Sequence, residues 1–92
     1  MKQINLYIGS NNETHKVEIN KIQNFLNDNF IGYTLINAMG FYETKKEDCL
    51  KIELLTNIHL SKIKRLVNQL RFILKQKSIL LTIENPKILF IE

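Results

Sequence analysis

Hydrophobic and polar residues alternate at the start of the chain, where positions 4–8 read Ile-Asn-Leu-Tyr-Ile before Gly9. A period of two is typical of a strand with one buried face, so the sequence predicts a strand that ends at this glycine. The next residues match a helix capping box, in which Ser10 accepts from the amide of Glu13 and the glutamate reaches back. The predicted helix therefore begins near residue 10. Its alternative N-caps are Asn11, Asn12 and Thr14.

Two longer segments carry apolar residues at the spacing of an amphipathic helix. The first stripe consists of Ile19, Ile22, Phe25 and Leu26. The second stripe consists of Ile63, Leu66, Val67, Leu70, Ile73 and Leu74. The Asn-Asp-Asn cluster at 27–29 is expected to end the first helix, and Thr56 or Asn57 to cap the second.

Between the helices the pattern favours two strands joined by a polar turn. The first strand spans 33–42, and the turn spans 43–48, which reads Glu-Thr-Lys-Lys-Glu-Asp. The second strand is expected to place its apolar residues on one face. These residues are Leu50, Ile52 and Leu54. A further strand is predicted at 79–84, and the apolar run 88–91, after Pro86, is short enough for a fifth.

The predicted order is β-α-β-β-α-β followed by a tail strand. Right-handed crossovers around a central hairpin give the ferredoxin-like split βαβ sandwich, in which both helices cover one face of a four-stranded sheet. The chain has 92 residues, so we expect one α+β domain over 1–92, with an extra C-terminal strand.

The second face of this sheet has no helices over it. On one register it carries Tyr7, Ala38, Leu55 and Leu80, and on another it carries Met39 and Phe41. An apolar strand face favours cover, so we expect this face or the tail to pack against other copies in a homo-oligomer. The alternative is that 88–91 folds back over its own subunit.

The composition gives information on the partners and the cellular compartment of the protein. The formal charge is +4 and the pI about 9.3, which weakly favours anionic partners. The single cysteine, Cys49, excludes an internal disulfide and fits a reducing cytoplasm, where we expect it to act as a small buried hydrophobe. The sequence shows neither a secretory leader nor a membrane-length apolar run.

The predicted hairpin resembles that of the PII-like signalling proteins. Residues 32–41 read Gly-Tyr-Thr-Leu-Ile-Asn-Ala-Met-Gly-Phe and residues 50–55 read Leu-Lys-Ile-Glu-Leu-Leu. That family has a Gly-x-Thr strand ending in Gly-Phe, followed by a Lys-Ile-Glu strand. The resemblance implies a PII-like homotrimer without enzymatic activity that binds nucleotides or small anions between subunits. It places Thr34, Gly40 and Phe41 beside the nucleotide.

The sequence departs from the PII-like pattern in one loop, and it has a second resemblance at its start. The turn at 43–48 is much shorter than the signalling loop of PII-like proteins, which favours holding a ligand over relaying its presence. The opening residues 7–14 are also similar to small proteins of phages and their hosts. A phage-type protein that sequesters a nucleotide signal is one version of this function.

Two segments are candidates for holding an anion. The stretch 9–14 offers small polar residues at a predicted helix N-terminus, with free amides and a positive dipole end. The hairpin tip offers a hydroxyl, aromatic rings and two lysines. The candidate ligand-binding residues are Ser10, Asn11, Asn12, Thr34, Gly40, Phe41, Tyr42, Thr44, Lys45 and Lys46. Simple helix capping and a solvated turn are the respective structural alternatives.

The pattern supports no catalytic residues, metal or cofactor. His15 and His59 have no partner at the spacing of a metal site or a nucleophilic triad. We therefore predict a non-enzymatic, cytoplasmic oligomer, with a trimer favoured, that binds an anionic metabolite or nucleotide in clefts between subunits. The alternative is a protein-interaction module or inhibitor that uses a strand edge or the basic helix face. That face carries Lys64, Arg65, Arg71 and Lys75; nucleic-acid binding is disfavoured because no aromatic residues are interleaved with it.

Overall fold

The computed structural model describes residues 1–11 and 13–92. Its strands are β1 (Lys2–Gly9), β2 (Thr34–Tyr42), β3 (Lys45–Thr56) and β4 (Leu80–Glu84). Its helices are α1 (Ile19–Asn29) and α2 (Leu60–Ile73). The strands form one antiparallel sheet in the order β2-β3-β1-β4, with α1 connecting β1 to β2 and α2 connecting β3 to β4. This is the ferredoxin-like βαββαβ fold, and the predicted α+β class is confirmed.

Both helices lie on the same face of the sheet because alternate strand residues and one stripe of each helix share a single apolar core. The strands contribute Ile4, Leu6, Ile8, Leu50, Ile52 and Leu54, and the helices contribute Ile22, Leu26, Ile63, Val67, Leu70 and Leu74. Burying one such side chain contributes roughly 1.5–3 kcal/mol. Two members of the predicted stripes, Ile19 and Ile73, are 39 % and 46 % exposed because they lie at the ends of their helices.

Helix α1 begins at Ile19, well after the predicted capping box. Residues 10, 11 and 13–18 lie in a loop, where the Asn11 side chain accepts from the amides of Glu13 and Thr14, at 2.7 and 3.1 Å. This Asx turn gives those amides a partner outside any helix. The capping-box prediction is therefore wrong, and so is the helix N-terminus proposed for 9–14. Asn12 lies outside the described residues.

Helix α2 begins after His59, whose Nδ1 accepts from the amide of Ser61 at 3.3 Å, so neither predicted cap is used. At its C-terminal end, Lys75 lies in the left-handed region with a φ of 54°. The amide of Lys75 donates to the carbonyl of Phe72, and the amide of Gln76 donates to that of Arg71. These two bonds are a Schellman motif in which a lysine stands where glycine is usual.

The β2–β3 hairpin is longer than the sequence predicts. Pairing continues to the tip, so the turn is only Glu43 and Thr44, with φ values of 49° and 65°. Two consecutive left-handed residues are typical of a type I′ turn. Residues 45–48, expected in the turn, belong to β3. The distal part of the hairpin, residues 38–48, projects beyond the helices, and we call it the ribbon. The molecule is consequently 42 Å long but only 25 and 22 Å across.

The uncovered face of the sheet carries the residues of the first predicted register, Tyr7, Ala38, Leu55 and Leu80. Its centre is polar, because Asn5 is only 2 % exposed and donates to Thr82 Oγ1 at 3.2 Å. Gln3 Nε2 in turn donates to Asn5 Oδ1 and to Glu53 Oε2, at 2.9 and 3.0 Å. The face is thus less apolar than the sequence pattern indicates.

The C-terminal tail is not a strand. After Glu84 the described residues form no further strand, so the extra strand predicted at 88–91 is wrong. Phe90 instead lines a groove with Leu55 and Thr34, although the ring remains 76 % exposed. Pro86 has no amide hydrogen to donate, which discourages continued pairing along the edge of the sheet.

Candidate functional site

The loop 10–18 and the ribbon enclose a cleft of about 460 Å³, which we call the tip cleft. Its lining residues are Ser10, Asn11, His15, Tyr42, Lys45, Lys46, Glu47 and Asp48. The volume lies within the range of roughly 300–1,000 Å³ typical of small-molecule sites. The cleft therefore joins the two segments that the sequence marks as candidates.

Glu47 holds the two walls of the cleft together. Its Oε1 accepts from both the amide and the hydroxyl of Ser10, each at 3.1 Å. A Cβ atom on Gly9 would lie 2.7 Å from the same oxygen, so a larger residue there would displace the Glu47 carboxylate from this position. Ser10 is consequently 7 % exposed and serves to position Glu47 rather than to offer a free hydroxyl.

Helix α2 supports the same corner from the other side. The Nε2 of Gln76 donates to the carbonyls of Gly9 and Ser10, both at 3.3 Å. The Arg71 guanidinium donates to the carbonyl of Gln76, also at 3.3 Å. The end of β1 is thus fixed by one side chain from the ribbon and one from the turn after α2.

The far side of the loop is anchored by Glu18. Its carboxylate accepts from Asn11 Nδ2 at 2.6 Å and pairs with Lys21 Nζ at 2.6 Å. The hydrogen bond from Lys21, followed by that from Asn11, lowers the pKa of Glu18. Both polar groups of the Asn11 side chain are therefore engaged within the loop, so Asn11 shapes the cleft.

The charged groups of the tip cleft balance one another. Lys45 and Lys46 come from the start of β3, and Glu47 and Asp48 follow them directly. Among the described residues, neither lysine forms an ion pair. Their four formal charges cancel, so the cleft is suited to a ligand with charges of both signs. A ligand with several negative charges gains less from it than the two lysines alone indicate.

The structure brings together only part of the predicted site. Ser10, Asn11, Tyr42, Lys45 and Lys46 line the cleft. Thr44 occupies the turn beyond it, and Gly40 and Phe41 lie on β2 outside its lining. Phe41 is 69 % exposed, and strand alternation directs its side chain away from that of Tyr42. These three residues lie outside the lining of the tip cleft.

Thr34 lies at the opposite end of the sheet. It is the first residue of β2, eight positions from Tyr42, which corresponds to roughly 27 Å along a strand. There it lines the groove that also contains Phe90, with a volume of about 970 Å³. A single molecule of this size therefore does not present Thr34 and the lysines to one ligand.

Three residues of the cleft were missed by sequence reasoning. His15 was assigned to the start of a helix, and Glu47 and Asp48 to a solvated turn. The sequence contains no signal for the extension of β3, because residues 43–48 are all polar and carry no alternation of apolar and polar positions. The position of His15 in the lining of the cleft follows from the loop with the Asx turn, which the pattern does not predict.

The described residues contain no group of three or more His, Cys, Asp or Glu side chains placed to hold a metal ion. Within the same residues, neither helix is long and apolar enough to cross a membrane.

Comparison with known proteins places this architecture among solved structures. No family model matches the chain, and no curated protein matches its sequence. A phage SAM lyase without ligand has a TM-score of 0.69 at 13 % identity, covering 90 % of this chain and 78 % of the other. A phage SAM lyase in complex with S-methyl-5′-thioadenosine has a TM-score of 0.68 at 15 % identity, covering 90 % and 79 %. A DUF3240 family protein from Shewanella baltica has a TM-score of 0.65 at 15 % identity, covering 99 % and 96 %.

These similarities establish the fold, and they correct one prediction. The fold and the PII-like resemblance led us to predict a protein without enzymatic activity. That prediction is wrong, because structures with the same architecture over nine-tenths of this chain include a lyase. The expected link to phage proteins is supported by the same neighbours, whereas membership of the PII-like family remains a resemblance.

Proposed function

We propose that the tip cleft binds a small nucleoside-type ligand that carries a positive and a negative charge, of the S-adenosyl amino acid class. The observation that carries the proposal is the grouping of an aromatic ring, Tyr42, with two lysines and two carboxylates in one cleft. Tyr42 is 73 % exposed and available to stack on a base. The lysines suit a carboxylate, and Asp48 suits an ammonium or sulfonium group.

A structural neighbour supports this ligand class. The phage SAM lyase has been solved with S-methyl-5′-thioadenosine, which is a nucleoside without phosphate. A ligand of that kind fits a cleft whose formal charges cancel better than a nucleoside triphosphate does. The cleft also contains His15 and Glu47, which belong to the residue types that transfer protons in enzymes.

Isothermal titration calorimetry with four probes tests the proposal. These are S-adenosylmethionine, S-methyl-5′-thioadenosine, AMP and ATP. We expect S-adenosylmethionine to bind more tightly than ATP, and Lys46→Gln and Tyr42→Leu each to weaken that binding by about tenfold or more. Lys16→Gln is the matched control, since Lys16 is exposed and outside the lining of the cleft. ATP binding most tightly, or no response to any probe, would refute the ligand class.

The same samples report on catalysis. After prolonged incubation with S-adenosylmethionine, chromatography shows whether S-methyl-5′-thioadenosine accumulates. Accumulation that Lys46→Gln and Tyr42→Leu abolish, and that Lys16→Gln preserves, would assign cleavage of S-adenosylmethionine to the tip cleft, and the amino acid product would distinguish a lyase from a hydrolase because only hydrolysis adds water. Binding without turnover would restrict the function to holding the ligand.

We also propose that the protein works as a cytoplasmic homo-oligomer. Leu55 and Leu80 on the uncovered face are 47 % and 61 % exposed, and Ile91 in the tail is 94 % exposed. Exposed apolar side chains on a sheet face are typical of surfaces that another chain covers. The resemblance to PII-like proteins favours a trimer, in which a neighbouring copy would close the open side of the tip cleft.

A further inference from the structure

Positive and negative residues are unevenly distributed along the sequence. Between Asn57 and Ile83 there are six Lys or Arg residues and no Asp or Glu, so this segment carries a charge of +6. The remaining residues contain seven Lys or Arg and nine Asp or Glu, and carry −2. The net charge of +4 thus understates the positive field around α2 and β4.

The folded chain turns part of this segment into a groove. Between α2 and β4 lies a depression of about 330 Å³, which we call the basic groove. Its lining residues are Lys64, Val67, Asn68, Arg71, Lys77, Ser78, Ile79 and Leu81. Its floor is apolar and its rim is cationic, and it contains no carboxylate.

One cation of the rim is already fixed in place. Arg71 Nε donates to Asn68 Oδ1 at 3.0 Å, and its guanidinium lies 4.5 Å from the centroid of the Phe72 ring. Lys64 and Lys77 are exposed and form no ion pair among the described residues. An incoming carboxylate therefore meets a pre-ordered guanidinium flanked by two available ammonium groups.

The groove runs beside an open edge of the sheet. β4 is an outer strand, paired only with β1, and the described residues place no strand on its other side. The tail does not cover this edge, because Phe90 lies in the groove with Leu55 and Thr34, on the side of β1 away from β4. Main-chain groups on the outer side of β4 are thus available to pair with an added strand.

We propose that the β4 edge and the basic groove together bind an acidic peptide segment in an extended conformation. The added strand would pair with Leu80–Glu84 and direct alternate acidic side chains towards Lys64, Arg71 and Lys77. Nucleic acid fits this surface less well, because the groove floor is aliphatic and its lining has no aromatic ring on which a base could stack. The proposal is independent of the ligand in the tip cleft.

Fluorescence polarisation with defined peptides tests the proposal. The probe is a short labelled peptide of alternating Glu and Val, compared with one in which Lys replaces Glu. A third peptide keeps the acidic sequence but is N-methylated at every second residue, so it retains its charge and cannot form a full ladder. We expect the unmodified acidic peptide to bind and the Lys-containing peptide not to bind. The N-methylated peptide should bind more weakly than the unmodified one by about tenfold or more.

Charge reversals in the protein locate the site. Lys64→Glu and Lys77→Glu are each expected to weaken acidic-peptide binding by about fivefold or more, and Lys16→Glu, a matched reversal away from the groove, by less than about twofold. The amide resonances of Leu80–Glu84 should shift on binding. Equal binding of the N-methylated peptide, tighter binding of a short single-stranded DNA, or no binding of the acidic peptide would each overturn the proposal.

Discussion

At the scale of single residues, the most informative side chain is Glu47. It accepts two hydrogen bonds from Ser10, and its carboxylate lies where a Cβ atom on residue 9 would come within 2.7 Å of it. In the sequence it is one of several charged residues in an apparently solvated turn. Its role arises from the register of β1 and β3: Gly9 pairs with Cys49, and Glu47, two residues before Cys49, lies diagonally opposite Gly9.

Glu47 should also control the reactivity of Cys49. Burial, and next the negative charge of Glu47, raise the pKa of the Cys49 thiol. A raised pKa leaves less thiolate at neutral pH, and the thiolate is the reactive form. We expect Cys49 to be alkylated by iodoacetamide more slowly than glutathione at neutral pH, and Glu47→Gln to accelerate the reaction because one cause of the raised pKa is removed.

The rate of alkylation as a function of pH is the measurement. Glu53→Gln is the control, since Glu53 lies on the same strand and does not contribute to the shift at Cys49. An unchanged or slower rate in Glu47→Gln would mean that the charge of Glu47 does not reach the thiol.

At the scale of secondary-structure elements, the C-terminal end of α2 contains one residue with an unfavourable backbone conformation. Lys75 adopts a φ of 54°, which disfavours a residue with a Cβ atom. The Schellman bonds to Phe72 and Arg71 hold it there and lead the chain to Gln76, which supports the Gly9 corner. The position therefore serves the tip cleft although its residue type is not the best for the conformation.

Lys75→Gly should stabilise the protein by about 1 kcal/mol, because glycine adopts the left-handed region without strain. Denaturant unfolding measures the change. Lys77→Gly removes the same charge at a position without a positive φ and should instead cost up to about 1 kcal/mol through the entropy of the unfolded chain. If both variants changed stability equally, charge rather than backbone strain would be responsible.

The elements also show how far the pattern of the sequence reaches. Periodicity predicts the strands β1 and β3, the helix α2 and the C-terminal end of α1, because the buried faces of these elements are regular. It does not predict the start of α1, because the Asx turn at Asn11 satisfies the amides that the capping box was expected to satisfy. Periodicity also fails to predict the conformation of the tail, because apolar composition alone does not provide a strand for it to pair with.

At the scale of the whole molecule, exposed apolar residues are distributed around a polar centre. Asn5, Gln3 and Thr82 form hydrogen bonds across the uncovered face, while Leu55 and Leu80 lie towards its sides. A partner copy would therefore have to meet both the apolar margins and this polar centre. Such a mixed surface specifies one arrangement better than a uniformly apolar one.

The proposed oligomer is tested by its mass in solution. We expect light scattering after size exclusion to give a multiple of the 10.9 kDa chain, and Leu80→Glu to shift the protein towards the monomer. Phe72→Glu is the matched control, because Phe72 is 67 % exposed and lies on α2, which packs against the opposite face of the sheet. A monomeric parent protein, or equal dissociation by both variants, would contradict the use of this face.

The hydrophobic pattern was enough to predict which segments form the sheet and the two helices, since each buries a periodic face and the order of elements admits few topologies. It also marked Ser10, Asn11, Tyr42, Lys45 and Lys46 as polar or basic groups near element ends. The folded chain shows that these five residues share one cleft and that Thr34 lies at the far end of the sheet. It also adds His15, Glu47 and Asp48 to the lining of that cleft. The physical reason is that periodicity reports which face of an element is buried, whereas a site depends on the register between elements and on turns whose hydrogen bonds form between residues distant in the chain.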